Sequence, residues 1–368
     1  MQRCVNVIGV GMSPFSPAAL GPEPPVLIGT TIRQALTDAG LSANDIGAVY
    51  AVTGTMDGAT LQRALQPVGL AQVPLCHFAQ GSADGSALFA RACQAIILGQ
   101  AQSILVLGIQ GAPALPDPTL GPKRLGATAQ EYMARYLARR ETFAMIAVKA
   151  RQHAGLNPLV AFNSLLTMDQ VLQAEMIADP LTRPQFAWGS SGVAAVLLCS
   201  SEFARRHCNG VLVQVAAQAC VSPQQVNGSD QGTAFAGVNY DVNVAAAQEL
   251  YEQAGRGPQE IAVCELHDVS TVSELLLYEA LGFCPEGNGE KLVEDGDNTY
   301  GGNLVINPSG GLLALGHACA ASALAQCIEL VQQLRGSAGR RQVADAKLAL
   351  QHQTGNDGTV TTTLFQRD

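Results

Sequence analysis

Three histidines in the second half of the sequence stand where α/β proteins hold catalytic groups. His267 ends the apolar segment IAVCEL, His352 ends KLALQ, and His317 follows the glycine-rich segment NPSGGLLALG. Short apolar segments predict buried strands, and α/β proteins bind ligands where strands end and helices begin. Because imidazole exchanges protons near neutral pH, these histidines are candidates for one site. The remaining histidines are predicted to be structural or exposed: His77, His153 and His207.

The elements that carry these residues repeat along the chain. The helical segment AAAQELYEQAG, the turn RGPQE and the strand IAVCELHD follow the order of an earlier helix, turn and strand. A second pair of helical segments, GSALFARACQAIILGQ and ASALAQCIELVQQLRG, aligns Ala87 with Ala323 and thereby pairs His317 with Gly81. Alternating helices and strands predict an α/β fold. We therefore predict two duplicated halves, with Gly81 at a helix start within reach of His317.

A long segment from about residue 111 to residue 191 interrupts the first repeat. It contains PALPDPTLGPKRLG and two helical stretches, TAQEYMARYLARR and ETFAMIAVKARQHA. A segment of this length is too long for a connector. We predict an inserted lid, so that the first half spans 1–205 with the insertion at 111–191 and the second half spans 206–368.

The composition excludes several classes of protein. The 368 residues are 48% hydrophobic and 14% charged, which favours packed domains. A net charge of -9 argues against a nucleic-acid partner. The ten cysteines form no CxxC pair, so we expect free buried thiols and no metal site. The apolar run at the N-terminus is too short for a signal peptide or membrane span, and we expect a cytoplasmic protein without a membrane segment.

The run ELHDVSTVSELLLYEALGFCPEGNGEKLVEDGDNTYGGNLVINPSGGLLALGH strongly resembles thiolases of the sterol carrier protein x type. The resemblance continues through LALQHQTG and reappears earlier as NVIGVGMSPF and LTMDQVLQAEMIADPL, so it covers nearly the whole chain. It implies a dimeric protein with the α/β thiolase fold, in which two αβα halves form a five-layer αβαβα body.

In that family a cysteine at a helix start takes the acyl group, a histidine in a GHP-type motif activates it, and a histidine in an HDCF-type motif holds a water or the oxyanion. His317 matches the first histidine and His267 the second. The resemblance thus implies His317 as general acid or base and His267 as oxyanion donor. The NPSGG segment resembles the loop beside the reacting thioester, and its residues are substrate-binding candidates: Asn307, Ser309, Gly310 and Gly311.

The departures from the family fall on the chemistry. The alignment places Gly81 at the nucleophile position, with Ser82 as the nearest hydroxyl, and Val269 at the second cysteine position. Glycine can neither attack a thioester nor transfer a proton. Both Gly81 and Ser82 therefore enter as substrate-binding candidates, and the usual covalent route lacks its thiol.

Further acid or base groups are Tyr300, in DNTYGG, and His352, in LQHQTG. Tyr300 matches a tyrosine that ordinary members of the family also carry. Cys319 is a third candidate, and its alternative role is a small apolar filler of a helix. Cys76, in VPLCHF, is predicted to be buried and inert.

The sequence predicts an enzyme of lipid metabolism that makes or breaks a carbon–carbon bond next to an acyl-CoA thioester without a cysteine acyl-enzyme, in aldolase or Claisen fashion. Coenzyme A enters as part of the substrate, and no bound cofactor is expected. One alternative is an acyltransferase whose nucleophile is Ser82, Cys319 or a partner's residue. Another is a non-catalytic acyl-CoA-binding or scaffold subunit.

The resemblance also implies partners. Thiolase-like proteins that lack the cysteine act as aldolases in sterol side-chain breakdown, usually with a small OB-fold, zinc-ribbon protein that binds acyl-CoA. We expect a homodimer, or a heteromer with such a protein or with a thiolase-like paralogue.

Overall fold

The computed structural model describes residues 4–17, 24–54, 56–79, 84–111, 120–160, 163–208, 210–226 and 233–367. Gly81 and Ser82 lie outside the described residues, so the predicted proximity of Gly81 to His317 stays a prediction.

Two sets of strands carry the fold. The strands of the first part of the chain are β1 Val5–Met12, β2 Ala48–Thr53, β3 Leu75–Ala79, β4 Ser103–Gln110, β5 Met176–Ala178, β6 Leu181–Thr182 and β7 Gly192–Ser200. Those of the second part are β8 Val213–Val221, β9 Val263–Glu265, β10 Val305–Ile306, β11 Leu348–Thr354 and β12 Val360–Arg367.

The helices connect and cover these strands. The earlier ones are α1 Pro24–Ala39, α2 Gly58–Leu65, α3 Gly85–Ile97, α4 Leu120–Tyr136, α5 Arg140–Ala154, α6 Met168–Leu172 and α7 Ser201–His207. The later ones are α8 Tyr240–Ala254, α9 Thr271–Ala280, α10 Gly289–Glu294, α11 Gly311–Leu315 and α12 Ser322–Arg335.

Ten strands form one mixed sheet in the order β10-β9-β11-β12-β8-β1-β7-β4-β2-β3. Two sets of five strands have the same order in this sheet. When each set is numbered along the chain, β3-β2-β4-β7-β1 and β10-β9-β11-β12-β8 both read third, second, fourth, fifth, first. The two sets meet where β1 pairs antiparallel with β8. The chain thus builds the same strand arrangement twice.

Side chains on alternate positions of the strands separate the layers, because successive residues of a strand face opposite sides. On β4, Ile104 and Val106 pack in the core that contains α3 and α12, whereas Leu105 and Leu107 pack in the core of α1 and α2. In the second set of strands, Leu350 lies in the core of α8 and α9. The two five-stranded halves of the sheet enclose the central helices and carry outer helices on their other faces, which gives the predicted αβαβα layers.

The central helices approach the sheet closely at Gly108 of β4. A side chain carbon there would lie 2.3 Å from the carbonyl oxygen of Ala320, in the turn that leads into α12. Only glycine permits this approach. The strand therefore supports the backbone turn that carries His317.

The inserted segment packs on elements of the second set of strands. Helix α5 contacts α9 and α11, and α4 contacts α9. Two buried polar contacts fix this packing: Tyr132 donates a hydrogen bond to Glu279 over 2.5 Å, and Lys149 forms a buried ion pair with Glu274. The insertion thus covers the part of the fold that holds His267. The predicted boundary between 205 and 206 stays a prediction.

Candidate functional site

His267 lies in the turn after β9, and the backbone on both sides of it is fixed. The amide of Leu266 donates to Asn307 Oδ1 over 2.7 Å. Asp268 accepts hydrogen bonds from the amides of Leu312 and Leu313, at 2.7 and 3.3 Å, at the start of α11. These two hydrogen bonds make the carboxyl a structural anchor of the turn, and burial raises the pKa of Asp268.

His317 lies between α11 and α12, so the predicted helix start is a turn between two helices. Its amide donates to the carbonyl of Trp188 over 2.7 Å, and its carbonyl accepts from the amide of Ser190 at 3.2 Å. The preceding residue, Gly316, has φ 83° and ψ 164°, a conformation open essentially to glycine alone. The glycine-rich segment noted in the sequence thus sets the direction of the His317 side chain.

The two imidazole rings meet. Their centroids lie 5.0 Å apart and their planes cross at 74°. Burial lowers the pKa of His267, and burial together with the neighbouring His267 lowers the pKa of His317 to about 3. Both rings are therefore neutral at pH 7, each with one N–H and one lone pair.

A cavity of about 230 Å³ opens on this pair. Its polar side contains His267, His317, Thr354 and Asn356. Its apolar side is built by Leu125, Val238, Leu276 and Leu277. A concave apolar space with a few convergent polar groups is the usual form of a small-molecule site, and here the inserted helix α4 supplies part of the wall.

Asp84 also reaches this site, and the sequence reasoning missed it. Its Oδ1 accepts from the amides of Ser86 and Ala87, both at 2.9 Å, and caps α3. Its Oδ2 would lie 2.9 Å from a side chain carbon on Gly355, which lines the cavity. The carboxylate also raises the pKa of His267. An aspartate before a helix signals a cap, but the position of its second oxygen depends on β11 and the loop after it.

His352 does not line the cavity. The sequence predicted that it ends a strand, and this is wrong: β11 continues to Thr354 because its pairing with β12 extends through that residue. His352 is buried, with Nε2 2.7 Å from Asn243 Oδ1 and Nδ1 3.4 Å from the amide of His267. It supports the His267 backbone. A direct catalytic part for it stays a prediction.

Tyr300 also lies away from the cavity lining. Its hydroxyl donates to the carbonyl of Arg341 over 2.7 Å, and its ring packs edge to face on His153. Burial raises the pKa of Tyr300. His153, predicted to be structural or exposed, is buried and lies within hydrogen-bond distance of Asn307 O and Thr299 Oγ1.

The NPSGG segment, residues 307–311, contacts the residues that precede His267. Ser309 Oγ donates to Glu265 over 2.8 Å, and a side chain carbon on Gly311 would lie 2.2 Å from Asp268 Oδ2. Gly310 adopts φ 100°, in the left-handed region. Asn307, Ser309, Gly310 and Gly311 are not among the residues lining the cavity. Their described contacts hold the His267 turn, and their binding of substrate stays a prediction.

The thiol closest to this chemistry along the chain is Cys319. Asn356 Nδ2 lies 3.6 Å from its Sγ, and burial raises the pKa of the thiol. A raised pKa disfavours the thiolate, which is the nucleophilic form. Cys76 lies on β3 and is half-buried.

Across the described ranges, no three or more His, Cys, Asp or Glu side chains are grouped so that they could hold a metal ion. Within the same part of the chain, no helix has the length and apolar character needed to cross a membrane.

Known proteins resemble this chain in sequence and in fold. The family described as thiolase C-terminal domain-like matches residues 234–366. Sterol carrier protein 2 of Bos taurus is 37% identical over 100% of this chain and 73% of its own length. The benzoylsuccinyl-CoA thiolase subunit BbsB of Thauera aromatica is 29% identical over 96% of this chain and 95% of its own. Among solved structures, the Ltp2-ChsH2(DUF35) aldolase shares the fold with a TM-score of 0.83 and 24% identity, covering 99% of this chain and 98% of that one.

Proposed function

Since this chain belongs to the sterol carrier protein x type of thiolase-like proteins, we propose that it makes or breaks a carbon–carbon bond next to an acyl-CoA thioester without an acyl-cysteine intermediate. The observation that carries the proposal is the neutral pair His267 and His317 at the cavity, with centroids 5.0 Å apart. The sequence aligns Gly81 with the family's nucleophile and keeps both histidines.

Cleavage of a 3-hydroxyacyl thioester suits these groups. One neutral imidazole takes the proton of the 3-hydroxyl, the bond between C2 and C3 breaks, and C3 leaves as a carbonyl compound. The electron pair passes to the thioester as an enolate, which then takes a proton at C2. Hydrogen-bond donors aimed at the enolate oxygen stabilise that charge, and the apolar wall accommodates the acyl group. The reverse sequence is an aldol addition.

The names of related proteins agree with this class of reaction. The structure that shares the fold is named an aldolase and combines Ltp2 with ChsH2, and the relative from Thauera aromatica is named a subunit of a CoA thiolase. We extend the proposal accordingly to an acyl-CoA substrate in lipid metabolism. We further propose a cytoplasmic assembly, either a homodimer or a heteromer with a thiolase-like or OB-fold, zinc-ribbon subunit.

The test uses mass spectrometry of the whole protein after incubation with acetyl-CoA and with a longer acyl-CoA. We expect no covalent acyl group. Incubation with 3-hydroxyacyl-CoA thioesters, alone and with candidate partner subunits, should release a carbonyl product and a shortened acyl-CoA. Cys319→Ala is the matched control, and it should behave as the unchanged protein does.

A stable adduct on Ser82, Cys76 or Cys319 would contradict the proposal and favour the acyltransferase alternative. Acyl-CoA binding without turnover in any combination of subunits would favour a scaffold.

A further inference from the structure

Buried glutamines connect His267 to the central helix layer. Gln326 lies on α12, and Gln351 and Gln353 lie on β11. All three are at most 5% exposed. Because alternate residues of a strand share a face, Gln351 and Gln353 point toward α12, while His352 between them contacts Asn243 of α8.

One backbone carbonyl, that of Leu266, sets the donor and acceptor in each hydrogen bond of the series that leads through Gln326 and Gln353 to His267. Leu266 O can only accept, so Gln326 donates to it through Nε2, over 2.8 Å. Gln326 Oε1 therefore accepts from Gln353 Nε2, 2.5 Å away. That leaves Gln353 Oε1 as an acceptor, 2.5 Å from Nδ1 of His267. A short contact with an acceptor requires the hydrogen to be on Nδ1.

We infer that Gln326 and Gln353 fix His267 as the Nδ1–H tautomer and so present the lone pair of its Nε2 to the cavity as the general base of the proposed reaction. The role of general base rests on the proposed function, whereas the tautomer rests on geometry alone. It reverses the role that the family resemblance implied for His267, that of oxyanion donor.

The surroundings of the ring agree with this assignment. No hydrogen bond from the described residues reaches Nε2 of His267. One contact favours the opposite tautomer: the amide of Thr354 lies 3.4 Å from Nδ1, which is well beyond the 2.5 Å contact with Gln353. The titratable groups that face His267 are Asp84, His317 and His352.

The two proton transfers of this reaction balance. Nε2 takes the hydrogen of the 3-hydroxyl as the bond between C2 and C3 breaks, and the ring becomes an imidazolium whose Nδ1–H stays on Gln353. The same Nε2–H then protonates C2 of the enolate, and the neutral ring returns. No oxidant, reductant or further reactant is needed. The orienting group thus acts as the aspartate does in a Ser-His-Asp triad, where the wrong tautomer costs on the order of 10⁴ in kcat.

The first test needs no substrate. In protein labelled with ¹⁵N at histidine, correlations between ring nitrogens and carbon-bound ring protons distinguish N–H from a bare nitrogen at pH 7. The signals of His267 are identified by their loss in His267→Asn, or by removing the other histidines in turn if that variant does not fold. We expect a hydrogen on Nδ1 and none on Nε2. A hydrogen on Nε2 would overturn the inference even if the enzyme proves to be an aldolase.

The second test is the pH dependence of kcat/KM. Gln353→Glu places a carboxylate on Nδ1–H, which stabilises the imidazolium, so the acid limb should move to higher pH. Gln353→Leu should lower kcat at least tenfold, and Gln353→Asn, which keeps the amide, should lower it less. Gln333→Leu, at an equally buried glutamine bonded to Glu329 and Arg341, should leave the limb in place. An unmoved limb in Gln353→Glu would also overturn the inference.

Discussion

The rings of His267 and His317 meet edge to face with their centroids 5.0 Å apart, although one follows strand β9 and the other joins helices α11 and α12. Each ring is anchored through its own backbone: the turn at His267 by Asn307 and Asp268, and the turn at His317 by the segment 188–190. Two imidazoles on one cavity, each held by the hydrogen bonds of its own turn, are a preorganised pair.

Removing either imidazole should abolish cleavage or condensation. We expect His267→Ala and His317→Ala to lower kcat about a hundredfold or more while the thermal midpoint stays close to that of the unchanged protein. Circular dichroism melting and the 3-hydroxyacyl-CoA assay are the measurements. His207→Ala, at an exposed ring stacked on Phe203, is the control. Full activity in either site variant would show that the histidine pair is not catalytic and would assign catalysis to a partner subunit.

The charge of Asp84 should tune His267. Asparagine caps helices as well as aspartate does, so Asp84→Asn keeps the cap of α3 and removes only the carboxylate that raises the pKa of His267. The acid limb of the kcat/KM profile should therefore shift to lower pH. Asp84→Ala, which also removes the cap, should cost about 1 kcal/mol of stability in addition. A profile that is the same in Asp84→Asn and the unchanged protein would separate Asp84 from the site.

Gly316 should tolerate no side chain. A carbon added there would lie 2.8 Å from Ser190 Cβ and 2.9 Å from Trp188 Cε2, at φ 83°. Gly316→Ala should therefore destabilise the fold and displace His317. At Gly336, with φ 73°, an added carbon meets nothing within 4 Å, so Gly336→Ala should cost only the backbone term of about 1–2 kcal/mol. Chemical denaturation compares the two, and equal costs would contradict the close contact at Gly316.

Glu265 should make stability fall as the pH rises. Burial, and next the nearby Glu329, raise the pKa of Glu265 from its ordinary 4.5 to about 8. Between these values the folded protein holds a proton that the unfolded chain releases, so the free energy of unfolding decreases by at most about 1.4 kcal/mol per pH unit. Below pH 4.5 this contribution is constant.

The matching variant is Glu265→Gln, which imitates the protonated form and should remove that part of the slope. Denaturant midpoints between pH 5 and pH 8 measure it. The same slope in both proteins would place the titrating proton elsewhere.

Several features could be predicted from the sequence because they depend on local pattern. The spacing of apolar residues predicts buried strands and helices, and the repetition of these elements predicted the two equivalent sets of strands. His267 and His317 were predicted as neighbours because each follows a recognisable segment in a known family. His352 and Tyr300 were harder to place. Pairing with β12 carries β11 past His352, and Tyr300 hydrogen-bonds Arg341, a residue in a separate turn.

The sequence by itself determined the fold and the two histidines, and it predicts a glycine, Gly81, at the nucleophile's position. Only the tertiary structure decided how those histidines are set. Asp84 meets the loop after β11, and Gln326 of α12 meets Gln353 of β11, through contacts between elements far apart in the chain. Contacts and hydrogen bonds of this kind depend on atoms placed to within tenths of an ångström. No residue period records such placement, because it arises from how whole layers pack.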